Sequence, residues 1–430
     1  VTTLLTTAKP PDLETFRAEA LAFLEAHAKP KHRDLRGFVW GEGSDAVALF
    51  EEADPGADAT ALAASRAWRQ AVYDAGFGWI SGPVEYGGRA LSKEHQRVWH
   101  ELERRFATPS PTPFNIGLGM VSPTILAHGT EITKQRYLRA LHRADRIGCQ
   151  LFSEPGAGSD LASVATRAEP NGHEWIVNGQ KVWTSGAHYS DIGLLLARSA
   201  PEPRYGNLTA FVVDLHAPGV EVRPLRQMTG GAAFNEVFLT DVRIPDDHRL
   251  GGVGDGWRVA LTTLMNERAA VGRAGSGGAG ILSAARLVAM ARHLGIARGS
   301  GGDPMNEGDP VARQEFTDVY IRLAVARYTR LRADARHRAG QPPGPEMSMG
   351  KVALTDNLAA VSRLVTRWLG PQLTADAGQW GTYAWADFVL GVPGLRLGGG
   401  TDEIQRNIVA ERVLGLPKEP GRLDTPASPR

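Results

Sequence analysis

The stretch from Cys149 to Ala187 constrains this chain more than any other, because it is where the spacing of apolar residues changes. Before it, apolar residues recur at helical intervals. From Gly148 onward they gather into short runs broken by Pro, Gly, Asn or Asp, the punctuation expected between strands. Ile192 to Ala197, Leu208 to Leu215, Val220 to Leu225 and Glu236 to Ile244 read as such strands, and helical spacing resumes at Trp257 and lasts to Gly415. Strands clustered between two helical segments predict a separate β-domain, not a doubly wound α/β sheet. The expected fold class is α+β. It comprises an N-terminal helical domain over 1–147, a middle β-barrel-like domain over 148–251, a C-terminal helical bundle over 252–417 and a disordered tail over 418–430.

The helical segments are punctuated in the usual way. Pro10-Pro11-Asp12 precedes a helix whose Leu13, Phe16, Ala20, Phe23 and Leu24 share one side, with further helices expected over 61–75, 93–105 and 131–142 and irregular chain over 31–60. Gly275 to Gly280 spells the letters of a dinucleotide fingerprint, but that motif works only where a strand turns into a helix, and no strand precedes it. A close helix–helix contact is the expectation there, and a polar loop over 299–308.

The stretch itself runs from an apolar segment into Ser153-Glu154-Pro155-Gly156-Ala157-Gly158-Ser159-Asp160. It is expected to return through a tight hairpin turn at Asn178-Gly179, since both central residues of such a turn need positive φ. It then reaches Trp183-Thr184-Ser185. Glycines beside hydroxyls leave backbone N–H groups open to an anionic or hydrogen-bond-accepting ligand. An indole beside two hydroxyls suits a planar heterocycle. The alternative for both is a turn-rich strand edge with a core tryptophan.

Composition excludes some functions. With 48 basic and 47 acidic residues the net charge is +1, which provides no field to draw in nucleic acid or an anionic membrane. Cys149 is the sole cysteine, so no intrachain disulfide forms, and a buried apolar role is expected for it. The first residues lack the basic start and apolar centre of a signal peptide, and no apolar run approaches the roughly 18 residues of a membrane helix. A soluble, cytoplasmic protein of two to four domains is expected, and no metal site is apparent.

Three motifs taken together resemble those of the acyl-CoA dehydrogenases. Leu151 to Asp160 followed by Asn178 to Ser185 looks like the family's flavin-binding signature, and Gly398-Gly399-Gly400-Thr401-Asp402-Glu403-Ile404-Gln405-Arg406-Asn407 like its C-terminal one. Pro83-Val84-Glu85-Tyr86-Gly87-Gly88 is a weaker match, and the likeness runs from about Phe16 to about Leu416. The resemblance implies an acyl-CoA dehydrogenase-like fold, FAD as cofactor and oxidation of an acyl-CoA to its 2,3-enoyl-CoA. It also implies electron transfer to an electron-transfer flavoprotein and assembly as a homodimer or homotetramer, with a heterotetramer as a variant. A flavin oxidase, or a non-catalytic subunit of a heteromeric dehydrogenase, are the alternatives.

Site residues follow from the same likeness. Phe152 and Ser153 are implied at the pyrimidine side of the flavin, and Trp183, Thr184 and Ser185 along its ring. Ser159 is implied at the CoA arm, Thr401 and Glu403 at the cofactor, and Arg268 on the substrate side. Many relatives place the catalytic glutamate immediately before the Gly-Thr of the C-terminal signature, where this chain has Gly399. Other branches place it on the helix opening the C-terminal domain, and the match there is Glu267. Leu261, Leu264, Met265 and Arg268 define one predicted helix face, with Glu267 at its edge, where partial burial would favour a base. A solvated Glu267–Arg268 ion pair is the alternative reading. The backbone N–H of Gly399 is implied at the thioester oxygen. Thr401 reads as a helix N-cap, with Asp402 and Glu403 favouring the positive helix end. The family's Arg-x-x-Phe-Gly segment is missing over 299–311, leaving Arg313 and Arg367 as substitutes near the pyrophosphate.

Overall fold

In the computed structural model, residues 10–31, 38–50, 55–274, 282–296, 309–338, 344–345 and 347–417 are described. Expectations for the 275–280 glycines, the 299–308 loop and the 418–430 tail lie outside them. The chain forms two compact units, one of residues 1–35 and 51–266, the other of residues 36–50 and 267–430.

The first unit opens with helices α1 (Leu13–His27), α2 (Pro55–Asp74), α3 (Lys93–Glu103), α4 (Ser122–His128) and α5 (Glu131–Arg143). Asp12 caps α1 by accepting the Thr15 N–H at 2.8 Å, and the helix buries Phe16, Ala20 and Leu24 at its predicted spacing. Those side chains meet Val98, Trp99 and Leu102 of α3, with Phe77 stacked on Trp99 at 4.7 Å. Helix α2 starts ahead of the expected Ala61. A short pair of strands, β1 (Lys29–Pro30) and β2 (Phe106–Ala107), ties the end of α1 to the end of α3.

The main sheet of this unit has eight strands: β3 (Gly148–Leu151), β4 (Arg167–Asn171), β5 (Glu174–Ser185), β6 (Ile192–Arg198), β7 (Leu208–Asp214), β8 (Val220–Leu225), β9 (Phe234–Pro245) and β10 (Arg249–Leu250). They are ordered β10-β7-β6-β4-β5-β9-β8, with β3 parallel to β6. Strands β6 and β7 are apolar at nearly every position because both faces are covered. Leu194, Leu196, Ala210 and Val212 face one core with Ile125 and Leu138 of the helices. Leu195, Ala197, Phe211 and Val213 face a second core with Cys149 and Trp175. Cys149 is fully buried, and burial pushes its thiol up to about 12.

The predicted turn at Asn178-Gly179 is overturned. The turn lies at the preceding Asn-Gly: Asn171 pairs with Glu174, and Gly172 takes φ +66 at the first central position of a two-residue loop. Asn178 and Gly179 fall inside β5 at a register shift against β9, where Asn178 Nδ2 donates to Asp241 and the Asp241 N–H donates back, both at 2.9 Å. Gly179 is needed there for close approach. A Cβ would stand 2.4 Å from Thr166 Oγ1 and 2.7 Å from Thr166 Cα.

Helix α6 (Gly256–Ala274) crosses from residue 266 to 267, the boundary of the two units. The face expected inside is displaced: Gly256, Val259, Ala260 and Thr263 are buried, whereas Leu261 and Met265 are 43% and 59% exposed. Thr263 Oγ1 lies 3.0 Å from Thr124 Oγ1 and also donates to the Val259 carbonyl, so a polar residue holds the inward position.

The second unit continues with α7 (Ala284–His293), α8 (Pro310–Arg338), α9 (Met347–Leu369), α10 (Trp385–Leu397) and α11 (Asp402–Arg412). Val361, Val365, Trp385 and Phe388 centre its core. Residues 38–50, read from sequence with the N-terminal domain, supply Val47 to that core. Trp380 Nε1 donates to the Gly43 carbonyl at 2.9 Å, and the Gly381 N–H donates to Asp45 at 3.0 Å.

The two glycines should respond oppositely to alanine. Gly179→Ala should lower stability by about 1–3 kcal/mol, through backbone-level crowding against Thr166. Gly156→Ala should change it by less than about 1 kcal/mol, because a Cβ there meets nothing within 4 Å. Thermal unfolding of the two variants beside the native chain measures both.

Candidate active site

The loop after β3 is built on a buried ion pair. Glu154 and Ala157 exchange backbone hydrogen bonds at 3.0 Å, closing a turn over Pro155 and Gly156. The Glu154 side chain points inward and accepts the N–H groups of Ala165 at 2.5 Å and Thr166 at 3.0 Å. Lys181, fully buried on β5, donates to Glu154 Oε1 at 2.7 Å and to the Phe152 carbonyl at 3.1 Å. The Val182 N–H donates to the Ser153 carbonyl at 2.9 Å. Phe152 and Ser153 are thus fixed against the strand that ends in Trp183-Thr184-Ser185.

Burial pulls the Lys181 ammonium down to about 8 even against the attraction of Glu154. For Glu154 burial acts upward, but the Lys181 charge and the donated hydrogen bonds outweigh it and hold the carboxyl below its ordinary value.

Trp183 departs from strand geometry. Its φ is +60 and its side chain is 57% exposed, with the ring edge-on to Phe234 at 5.7 Å. A bulky residue in the left-handed region costs about 1–3 kcal/mol, and such outliers gather at functional sites. The core-tryptophan reading is therefore excluded. Next to it Thr184 is buried, and its Oγ1 has no hydrogen-bond partner among the described residues. Phe152 is buried, Ser153 and Ser185 are half-buried, and Ser159 is exposed beside Asp160, which Arg204 and Ser163 bind.

A second cluster belongs to the other unit. Gly399 and Gly400 are both left-handed, at φ +68 and +84, and the Gly399 carbonyl accepts Gln405 Nε2 at 2.7 Å. Thr401 caps α11 as expected, accepting the Ile404 N–H at 3.2 Å. Asp402 does more than favour the helix end. It is buried and accepts Lys351 Nζ at 2.9 Å, Thr355 Oγ1 at 2.8 Å and Arg396 Nε at 2.8 Å. Burial alone would raise its carboxyl, yet these three donors hold it below the ordinary value. Glu403 is exposed and Glu267 half-buried, while the side chain of Arg268 lies outside the described residues. Of the two arginines weighed for the pyrophosphate, Arg367 is paired with Glu315 and Arg313 is exposed.

Lys181, Glu154 and Gln405 were not singled out from sequence, and Asp402 was read only as a charge at the helix end. Lys181 had a readable signal. Alternation from Trp175 and Val177 turns it inward, and a buried lysine requires a carboxylate.

Comparison with known proteins agrees with the motifs. Three family models match in order: the acyl-CoA dehydrogenase N-terminal domain over residues 10–145, the middle domain over 149–242 and the C-terminal domain over 254–414. The chain belongs to the acyl-CoA dehydrogenase family. Members are FAD-dependent oxidoreductases of lipid metabolism. Acyl-CoA dehydrogenase IpdE1 of Mycobacterium tuberculosis (strain ATCC 25618 / H37Rv) is 36% identical over 410 residues, 95% of this chain and 99% of that protein. Glutaryl-CoA dehydrogenase of Desulfococcus multivorans is 27% identical over 78% of this chain and 85% of its own. Among solved structures, the Tcur3481-Tcur3483 steroid ACAD has a TM-score of 0.69 and 26% identity, over 96% of this chain and 99% of that one. The family fold, with helices on either side of a β-domain in sequence, is the one expected. Among the described residues no group of acidic, His or Cys side chains is placed to hold a metal, and no helix is long and apolar enough to cross a membrane.

Removing one member of the buried pair should cost more than removing both. Lys181→Met and Glu154→Gln should each destabilise the first unit by about 3–5 kcal/mol, and the double variant should recover a large part of the loss. Glu154 contributes stability that is complete above its ordinary value of 4.5 and is lost as pH falls through its lower folded value. Denaturant unfolding as a function of pH should show a larger acid loss in the native chain than in the double variant, which keeps Asp246 and Asp402 with their lowered carboxyls.

Proposed function

We propose that this chain binds FAD and oxidises an acyl-CoA to the 2,3-enoyl-CoA, with Glu267 as the base. The observation that carries the reading is the strained, exposed Trp183 beside the buried, unpartnered Thr184 hydroxyl. Those residues fit a flavin: Trp183 offers a flat apolar plate, and Thr184 and Ser185 offer hydrogen bonds to ring heteroatoms. Phe152 and Ser153 complete the cradle, with Thr401 and Glu403 as further cofactor contacts. When bound, the flavin supplies the acceptor for the hydride leaving the β-carbon.

The chain's own residues handle the proton and the developing charge. The Glu267 carboxylate, half-buried on α6, takes the α-proton. The Gly399 N–H donates to the thioester oxygen as negative charge builds there, and a fixed backbone donor needs no reorganisation. Gln405 holds the Gly399 carbonyl and so sets the orientation of the adjoining peptide plane. Ser159 and Arg268 contact the substrate. Electrons leave to an electron-transfer flavoprotein, and the enzyme works as an oligomer. Similarity to the Tcur3481-Tcur3483 steroid ACAD, at 26% identity, makes a steroid-derived acyl-CoA the first substrate to assay.

Glu267→Gln should retain the yellow flavin absorbance and lose about 10²- to 10⁴-fold in acyl-CoA-dependent bleaching of that absorbance. Unimpaired bleaching would reject the base assignment, and native protein that stays colourless in excess FAD would reject the enzyme reading. Rapid oxygen consumption without another acceptor would mark an oxidase instead. Trp183→Gly should separate stability from function: the cofactor-free protein gains about 1 kcal/mol by relief of the left-handed backbone. FAD binding, followed by fluorescence quenching, should weaken at least about tenfold from loss of the plate.

A further inference from the structure

Helices α4 and α6 of the first unit meet through hydroxyls where apolar side chains would pack as well. Thr124 on α4 and Thr263 on α6 are both fully buried, and their Oγ1 atoms lie 3.0 Å apart. The same two helices contribute Ile125, Val259 and Ala260 to one apolar cluster, so the hydroxyl pair interrupts an otherwise apolar seam. Each hydroxyl has one hydrogen to give. Thr124 donates its own to the Met120 carbonyl at 2.7 Å, and Thr263 shares its own between Thr124 and the Val259 carbonyl at 3.1 Å. Sliding α6 along α4 would separate the two hydroxyls.

A second rung stands one turn further on. His128 follows Thr124 by four residues, and its Nε2 lies 2.8 Å from Thr262 Oγ1. Two residues on one side of α4 therefore grip adjacent residues of α6, which fixes α6 both along its axis and about it. The Thr262 carbonyl in turn accepts Asn266 Nδ2 at 3.0 Å, and Asn266 directly precedes Glu267. Glu267 itself follows Thr263 by four residues, on the same side of the helix and about 6 Å further along.

A buried polar pair in an apolar seam is a poor source of stability, because an apolar pair of the same shape is often neutral or stabilising. What such a pair supplies is register. A base needs register, since a displacement of about 1 Å can lower a rate roughly 100-fold. We propose that Thr124 and Thr263, with His128 and Thr262 as the second rung, are positioning residues that pin α6 on α4 and so set where the Glu267 carboxylate stands. Their part in the reaction rests on Glu267 as the base, whereas the pin itself does not.

Replacing both threonines by valine separates the pin from the packing. The Thr124→Val/Thr263→Val double variant should melt within about 3 °C of the native chain, since shape is kept and no hydroxyl is stranded. In cofactor-free protein its amide hydrogen exchange over 264–267 should rise at least about tenfold. With FAD and saturating acyl-CoA, a steroid-derived thioester first, kcat for flavin bleaching should fall about 10- to 100-fold at unchanged KM, while Thr263→Ser should stay within about twofold of native. In the Glu267→Gln background the two valines should cost nothing further, because they act only through that carboxylate. Native-like kcat in the double variant, or an equal loss with and without the Glu267 carboxylate, would overturn the positioning role, and unchanged exchange would overturn the pin. A native chain that no acyl-CoA bleaches would reject Glu267 as base instead, and exchange alone would then decide the pin.

Discussion

The Lys181–Glu154 ion pair is the constraint on which the loop after β3 and the strand end at Trp183 depend. A lysine with no exposure to water is unfavourable unless its charge is met, and here a carboxylate and a main-chain carbonyl meet it. The carboxylate in turn spends its other valences on two backbone N–H groups from the segment leading into β4. One interaction therefore fixes three pieces of chain: the exit of β3, the approach to β4 and the middle of β5. Replacing it by an apolar pair would keep the packing but release the carbonyl of Phe152, whose orientation positions Ser153.

A second carboxylate plays a parallel part in the other unit. Asp402 gathers donors from α9 and α10 at the start of α11, and the two left-handed glycines before it let the chain turn tightly into that helix. In both places a buried acid with several donors stands directly behind a glycine-bearing turn. Rigid support beneath an exposed loop is what a site built from backbone N–H groups requires.

Much of the fold was legible in the sequence, because period and punctuation are local properties. Strands β6, β7 and β8 fell where alternation and apolar runs put them, and α1 carries its predicted cap. The turn at Asn178-Gly179 was misread since two Asn-Gly pairs stand seven residues apart, and only tertiary pairing with β9 makes the second one a bulge. The face of α6 was misread because Thr263 is inward, satisfied by another threonine and a backbone carbonyl, while two large apolar residues are outward. Hydrophobicity alone ranks them the other way. At the site, Trp183 and Thr184 were legible as residue types, but the left-handed backbone at 183 and the unpartnered hydroxyl at 184 exist only in three dimensions. Asp402 looked like a helix-end charge since its donors Lys351 and Thr355 are far away in sequence.

The short segment around Val47 has a consequence for the order of events in synthesis. It leaves the ribosome early, yet its partners include Arg286, which donates to the carbonyl of Ser44, 242 residues away, and Trp380, later still. The helices and sheet of the first unit, complete in sequence by residue 266, can close while this segment waits without its partners. The core of the second unit can therefore be complete only once the chain has been made through residue 380, and until then the apolar side chains around Val47 lack the neighbours they have in the folded unit.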